Sequence, residues 1–145
     1  MLLTGKKIEA TESTPEVVLD PNGVIRIKGR SMAKNAAEFY SQIENWIDLY
    51  IINPADLTCI CFFLEYLNGV NSSILISLLR RISNLKLPDK QFMINWYYEE
   101  DDDDILAYGE KISLVVDMPV NLIMVPEYED VSGKPDYFFA GLSGR

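Results

Sequence analysis

The sequence contains no histidine. That removes the commonest general base, any Ser-His or Cys-His nucleophile pair and most zinc sites. Few enzyme classes survive, and the balance moves toward a binding or regulatory protein. Cysteine is almost as scarce: Cys59 and Cys61 alone, inside the run LTCICFFL at residues 57–64. In a strand both would point to one face, and so short a loop would strain a disulfide, so they read as two buried thiols packing as small hydrophobes. Cations are few as well. Thirteen Lys and Arg against 22 Asp and Glu leave a net charge of −9, which argues against nucleic acid and anionic membrane surfaces, since both require clustered cations. No apolar run approaches the roughly 18 residues of a spanning helix. Residues 1–14 lack a hydrophobic segment of signal-peptide length. A cytoplasmic protein without a cofactor or resident metal is expected.

What is present is enough for one folded domain. At 145 residues with 48% hydrophobic and 24% charged residues, the chain can bury a real core and is not a disordered polymer. Val17-Val18-Leu19, the turn Asp20-Pro21-Asn22-Gly23 and Val24 to Lys28 form a hairpin pattern, and a short strand around Lys6 to Ala10 precedes it. A loop from Gly29 leads to Asn35, an N-cap with Glu38 as its capping-box partner. Ala36, Phe39, Tyr40, Ile43, Trp46, Ile47, Tyr50 and Ile51 then recur at helical spacing, and Asn53-Pro54 ends that helix.

Leu57 to Leu67 is rich in β-branched, aromatic and cysteine residues and reads as a central strand. A second helix runs from about Ser72 to Lys86 and is broken at Leu87-Pro88-Asp89. Gln91 to Tyr98 is the next strand, a short helix follows around Ile105 to Ile112, and Asn121 to Val125 is the last strand. Residues 1–130 are expected as a single domain, and 131–145 as a polar, Gly-rich tail carrying Tyr137, Phe138 and Phe139. The order predicts an α/β fold: a single mixed β-sheet with an N-terminal hairpin and right-handed βαβ crossovers, helices packed on the sheet. Parallel strands end at one edge, where open α/β sheets place their sites. Three loops should therefore meet there: Gly29 to Asn35, Asn68 to Ser73, and Glu99 to Asp104.

Each loop carries a candidate and a plainer alternative. Ser72 and Ser73 stand where a strand hands over to a helix. Unpaired N–H groups favour serine there for capping alone, and the same positive end would stabilise a phosphate attached to either hydroxyl. A nest for free phosphate fits less well, since only Gly69 is flexible and no lysine adjoins the hinge. The run Glu99 to Asp104 could take Mg²⁺ or Ca²⁺ on its carboxylates but lacks the alternating ligands of an EF-hand. A solvated helix start with Asp104 as the cap is the simpler reading. Arg30 is a lone loop cation, either idle or aimed at a partner or a carboxylate.

The blocks TPEVVLD, IKGRSMAKNAAEFY, LEYLN and INWYYEEDDDDILAYGE resemble, in register from about Thr11 to Val125, the SiaC-like bacterial regulatory phosphoproteins, a family itself similar in fold to the STAS anti-sigma-factor antagonists. The resemblance implies a partner switch. A protein kinase phosphorylates the start of the second helix, a PP2C-type phosphatase removes the mark, and one form binds a target. In the best-known branch that target is a diguanylate cyclase, linking the switch to cyclic-di-GMP and biofilm formation. The family pattern Asn-Thr-Ser-Ser is altered here: an ungapped match puts Gly69 on the phosphorylated threonine, Val70 on the first serine and Asn71 on the second. Either Ser72 or Ser73 takes the phosphate instead, with Ser72 favoured, or this member binds its partner constitutively. The contact patch implied is Tyr66, Asn68, Gly69, Asn71 and Arg30. A Mg²⁺-dependent enzyme built on the acidic run is the remaining alternative.

Overall fold

The computed structural model describes residues 2–131; the expected tail, apart from Val131, lies outside the described residues. Six strands form one sheet in sequence order: β1 Lys6–Ile8, β2 Glu16–Asp20, β3 Val24–Ser31, β4 Leu57–Leu67, β5 Gln91–Glu99 and β6 Val120–Val125. The β1–β2 and β2–β3 pairs are antiparallel, and β3 to β6 run parallel. Helices α1 Ala36–Tyr50, α2 Gly69–Ser83 and α3 Asp103–Val115 make the three crossovers. Each crossover advances one strand in the same direction, so with one handedness all three helices fall on the same face.

Side-chain alternation divides the core accordingly. Ile25, Ile27, Ile60, Phe62, Leu64, Ile94 and Trp96 pack with Phe39, Tyr40, Ile43, Leu75, Leu79, Ile105 and Ile112 of the helices. The opposite face holds a smaller cluster of Cys59, Cys61, Phe63, Met93, Tyr97 and Val125, joined by Tyr128 and Val131 rather than by any of the three helices.

The sequence reading locates the six strands and three α-helices but misses the 3₁₀ turn Tyr128–Asp130, and it misplaces several ends. Helix α2 begins at Gly69, three residues before Ser72, because the Asn68 side chain accepts the Asn71 N–H and caps it. An Asn-Gly pair ordinarily marks a turn, which hid the cap. Helix α2 also stops at Ser83, ahead of the expected Lys86, with Asn84 as its C-cap. Helix α3 starts at Asp103, capped by Asp102, whose carboxylate accepts the Ile105 N–H at 3.1 Å; Asp104 lies inside the first turn and is not the cap. Strand β3 runs on to Ser31 through a register shift at Gly29/Arg30, so Gly29 to Ser31 are strand rather than loop. Strand β1 stops at Ile8, short of Ala10. The Asn35 cap is as expected: its side chain accepts the Glu38 N–H at 3.1 Å and donates to the Glu38 carboxylate at 3.1 Å.

Candidate functional site

The loops after β3, β4 and β5 share one edge of the sheet, as parallel strands require. The first two are bolted together by buried polar groups. Tyr40 and Ser31 hydroxyls lie 2.7 Å apart, and Ser31 donates to Asn71 Oδ1 at 3.1 Å. The same oxygen accepts the Ala33 N–H at 3.1 Å, while Asn71 Nδ2 donates to the Ala33 carbonyl at 3.0 Å and to Asn68 Oδ1 at 2.8 Å. Every donor and acceptor of the Asn71 amide is thereby used, and Asn71 is fully buried. A single carboxamide ties strand β3, the loop at Ala33 and the N-cap of α2 together, and Tyr40 of α1 joins them through Ser31.

Asn71, expected in the contact patch, is thus enclosed. It presents no surface and braces the residues around it. Ser72, expected as a phosphate acceptor, is the fourth residue of α2 and 4% exposed. Its hydroxyl donates to the Gly69 carbonyl at 2.8 Å. Ser73 is exposed and donates to the same carbonyl at 3.1 Å. Gly69 is the first helical residue and exposed, and a Cβ built there would have nothing outside its own helix segment within 4 Å. Asn68 is half-buried as the cap. Arg30 and Tyr66 are register partners across β3 and β4, and both are exposed.

Between the start of α2 and the first turns of α3 lies an open groove of ≈ 560 Å³. The segment Glu65 to Gly69 forms one wall, and Asp102, Asp104, Ile105, Tyr108 and Lys111 belong to the other. The acidic loop and the serine hinge therefore do meet, as the topology predicts. Tyr66, on the groove wall, is 50% exposed, and Val70, next along α2 after Gly69, is 66% exposed. Three carboxylates against one lysine make the groove acidic, suited to a partner presenting cations around an apolar anchor. The sequence reading overlooked Tyr108 and Lys111. Their spacing from Asp104, four and seven residues, marks one helix face and becomes legible once α3 is known to begin at Asp103. Among the described residues no group of three or more acidic or cysteine side chains is placed to hold a metal, and no helix is long and apolar enough to cross a membrane.

Burial pushes the Tyr40 phenol up to about 12, partly offset by its hydrogen bond with Ser31. An unfolded tyrosine ionises near 10, so the neutral phenol is favoured in the fold. Its contribution is complete below about pH 10 and fades as pH rises toward 12. Tyr40→Phe should cost about 1 kcal/mol at neutral pH, and the gap from the unmodified chain should close above pH 10. Urea midpoints measured from pH 8 to 12 would show it; parallel curves would contradict the assignment.

The chain matches the family model described as SiaC family regulatory phosphoprotein over residues 8–125. No curated protein matches it. In structure it is similar to apo-SiaC from Pseudomonas aeruginosa, with a TM-score of 0.73 at 19% identity over 82% of this chain and 98% of that one. It is also similar to a chain in the crystal structure of the diguanylate cyclase SiaD in complex with its activator SiaC from the same organism, with a TM-score of 0.75 at 18% identity over 83% and 99% of the two chains. At such identities the likeness establishes the fold.

Proposed function

The chain belongs to the SiaC family of regulatory phosphoproteins, and from that premise we propose that it is a non-enzymatic switch protein that binds a diguanylate cyclase through the groove between α2 and α3. The observation that carries the reading is the open rim: Tyr66, Gly69 and Val70 are presented to solvent on a scaffold that the Asn71 amide keeps rigid. SiaC of Pseudomonas aeruginosa is named as the activator of the cyclase SiaD, with which it forms a complex. By this reading the protein works in the cytoplasm, in cyclic-di-GMP and biofilm signalling. Its working unit is the single domain to residue 130. Arg30, Tyr66, Asn68 and Gly69 belong to the contact surface.

A kinase and a PP2C-type phosphatase set the state of the switch. Ser73 is the acceptor in this proposal, because Ser72 is enclosed. A phosphate on Ser73 adds about −1.5 to −2 charges at the end of α2 that borders Asp102 and Asp104, and lowers the affinity of a partner matched to the unmodified groove. A constitutive module is the second reading, favoured by Gly69, which has no hydroxyl to modify. Phosphorylation by the cognate kinase, peptide mapping by mass spectrometry and cyclase titration decide between them. The switch requires modification at Ser73, lost in Ser73→Ala, and weaker cyclase binding by the modified form. An unmodified α2 with full cyclase binding establishes the constitutive module, and a groove that binds no cyclase in either form overturns both.

A further inference from the structure

The two edges of the sheet are finished differently. Strand β1 ends one of them with only three residues, Lys6–Ile8, two of which are lysines; short, charged edges resist further pairing. Strand β6 ends the other with six residues, and from Met118 to Pro126 the chain carries no charged side chain. Its bonds to β5 fix which way the backbone faces. The Ile94 N–H donates to the Pro119 carbonyl at 2.9 Å, and the Glu100 N–H to the Val125 carbonyl at 3.1 Å. Backbone groups alternate sides along a strand, so Val120, Leu122 and Met124 turn their N–H and C=O groups away from β5. Among the described residues β6 pairs with β5 alone. Leu122 is 37% exposed and Met124 57%.

We infer that this edge receives an extended segment of a partner protein as an added strand, neutral and apolar along β6 and basic where it passes the end of that strand. Charge selects the occupant. Beyond Pro126 stand Glu127, Glu129 and Asp130, all exposed, whereas Asp117 at the other end shares Lys86 at 3.9 Å. A second copy of the chain fits the backbone but not the charges. Antiparallel pairing with Leu122 opposite Leu122 and Val120 opposite Met124 would satisfy every outward group. Continued past the prolines, it sets Asp117 against Glu127, like charges facing each other, in chains that each carry −9. No residue of β6 lines the groove between α2 and α3, so the edge is a surface separate from the one proposed for the cyclase.

The probe is the peptide Lys-Lys-Val-Thr-Val-Thr-Val-Lys-Lys, whose cations serve either strand direction. In the full chain, amide exchange at Leu122 and Met124 should be fast without peptide and at least about tenfold slower with it bound. Two changes should each weaken binding by about tenfold, the worth of a lost hydrogen bond. One is N-methylation of alternate peptide amides. The other is Met124→Pro, which removes an outward N–H and spares the bonds to β5. The Glu127→Lys, Glu129→Lys variant keeps the test decisive if the proline variant does not fold; it should weaken binding most at low salt. No binding at millimolar peptide, or binding indifferent to all three changes, overturns the inference. So does protection of the Leu122 and Met124 amides in the free protein: a second copy is then the cover if protection rises with concentration, and the chain's own residues if it does not.

Discussion

Replacing Asn71 by alanine is expected to cost about 3–5 kcal/mol of folding stability, the largest effect of any single rim substitution. The residue is buried and its amide makes four side-chain hydrogen bonds, to Ser31, to both backbone groups of Ala33 and to Asn68. Removing it leaves the buried Ser31 hydroxyl with the Tyr40 hydroxyl but without its carboxamide acceptor, and costs the Ala33 groups and the capping oxygen one partner each. Each such loss is worth about 1–3 kcal/mol. Water can reach Ala33 and Asn68, which are only partly buried, so the sum stays below four full penalties. Asn71→Asp should fare no better: a carboxylate cannot donate to the Ala33 carbonyl or to Asn68, and its charge would be buried. Urea unfolding measures both. A loss under about 1 kcal/mol for Asn71→Ala would show that the rim is not held by this amide.

The second large effect concerns the wall opposite. A Cβ at Gly109 would lie 2.4 Å from Trp96 Cδ1, 2.7 Å from Trp96 Nε1 and 2.7 Å from Leu122 Cδ2. Trp96 is fully buried and donates its indole N–H to the Ile105 carbonyl at 2.8 Å, so the ring cannot step aside without losing that bond. Alanine would gain about 1 kcal/mol of helix propensity. Against this stand about 1–3 kcal/mol of overpacking and 1–3 kcal/mol for the threatened hydrogen bond. Gly109→Ala is expected to lose about 2–4 kcal/mol net in thermal or urea unfolding. Because α3 forms one wall of the groove, partner affinity should fall with it. A variant as stable as the original chain would mean that α3 does not sit on Trp96 through this glycine.

The strands were legible because their signals are local and redundant. The eleven-residue β4 follows from a run rich in β-branched, aromatic and cysteine residues, and the hairpin from Pro-Asn-Gly between two β-branched segments. The meeting of the three loops followed from topology alone, since parallel strands share an edge. What the sequence hid was which polar residue faces in. Asn68 and Asn71 stand three apart beside two serines, and nothing local says that the asparagines cap and brace while Ser72 is enclosed. That distinction depends on Ser31 and Tyr40, 40 and 31 residues upstream, delivered by a strand and a helix that pack only in the folded chain. Ser31 reads as loop because the strand continues past a bulge, and a bulge leaves little trace in composition. The groove's far wall was obscured by the run of aspartates, where four residues look equally able to cap a helix and only Asp102 does.

The claim on which the functional account rests is that the rim around Gly69 is where a partner docks. Gly69→Trp isolates it. Nothing outside its own helix segment lies within 4 Å of the new Cβ, so folding stability should change by no more than about 1 kcal/mol. The indole would nonetheless stand in the mouth of the groove. Titrating a diguanylate cyclase from the same cell with both proteins, each shown to be folded, should give an affinity weaker by about 100-fold or more for the variant. Equal affinities for the two would contradict the account and place the partner surface elsewhere on the molecule.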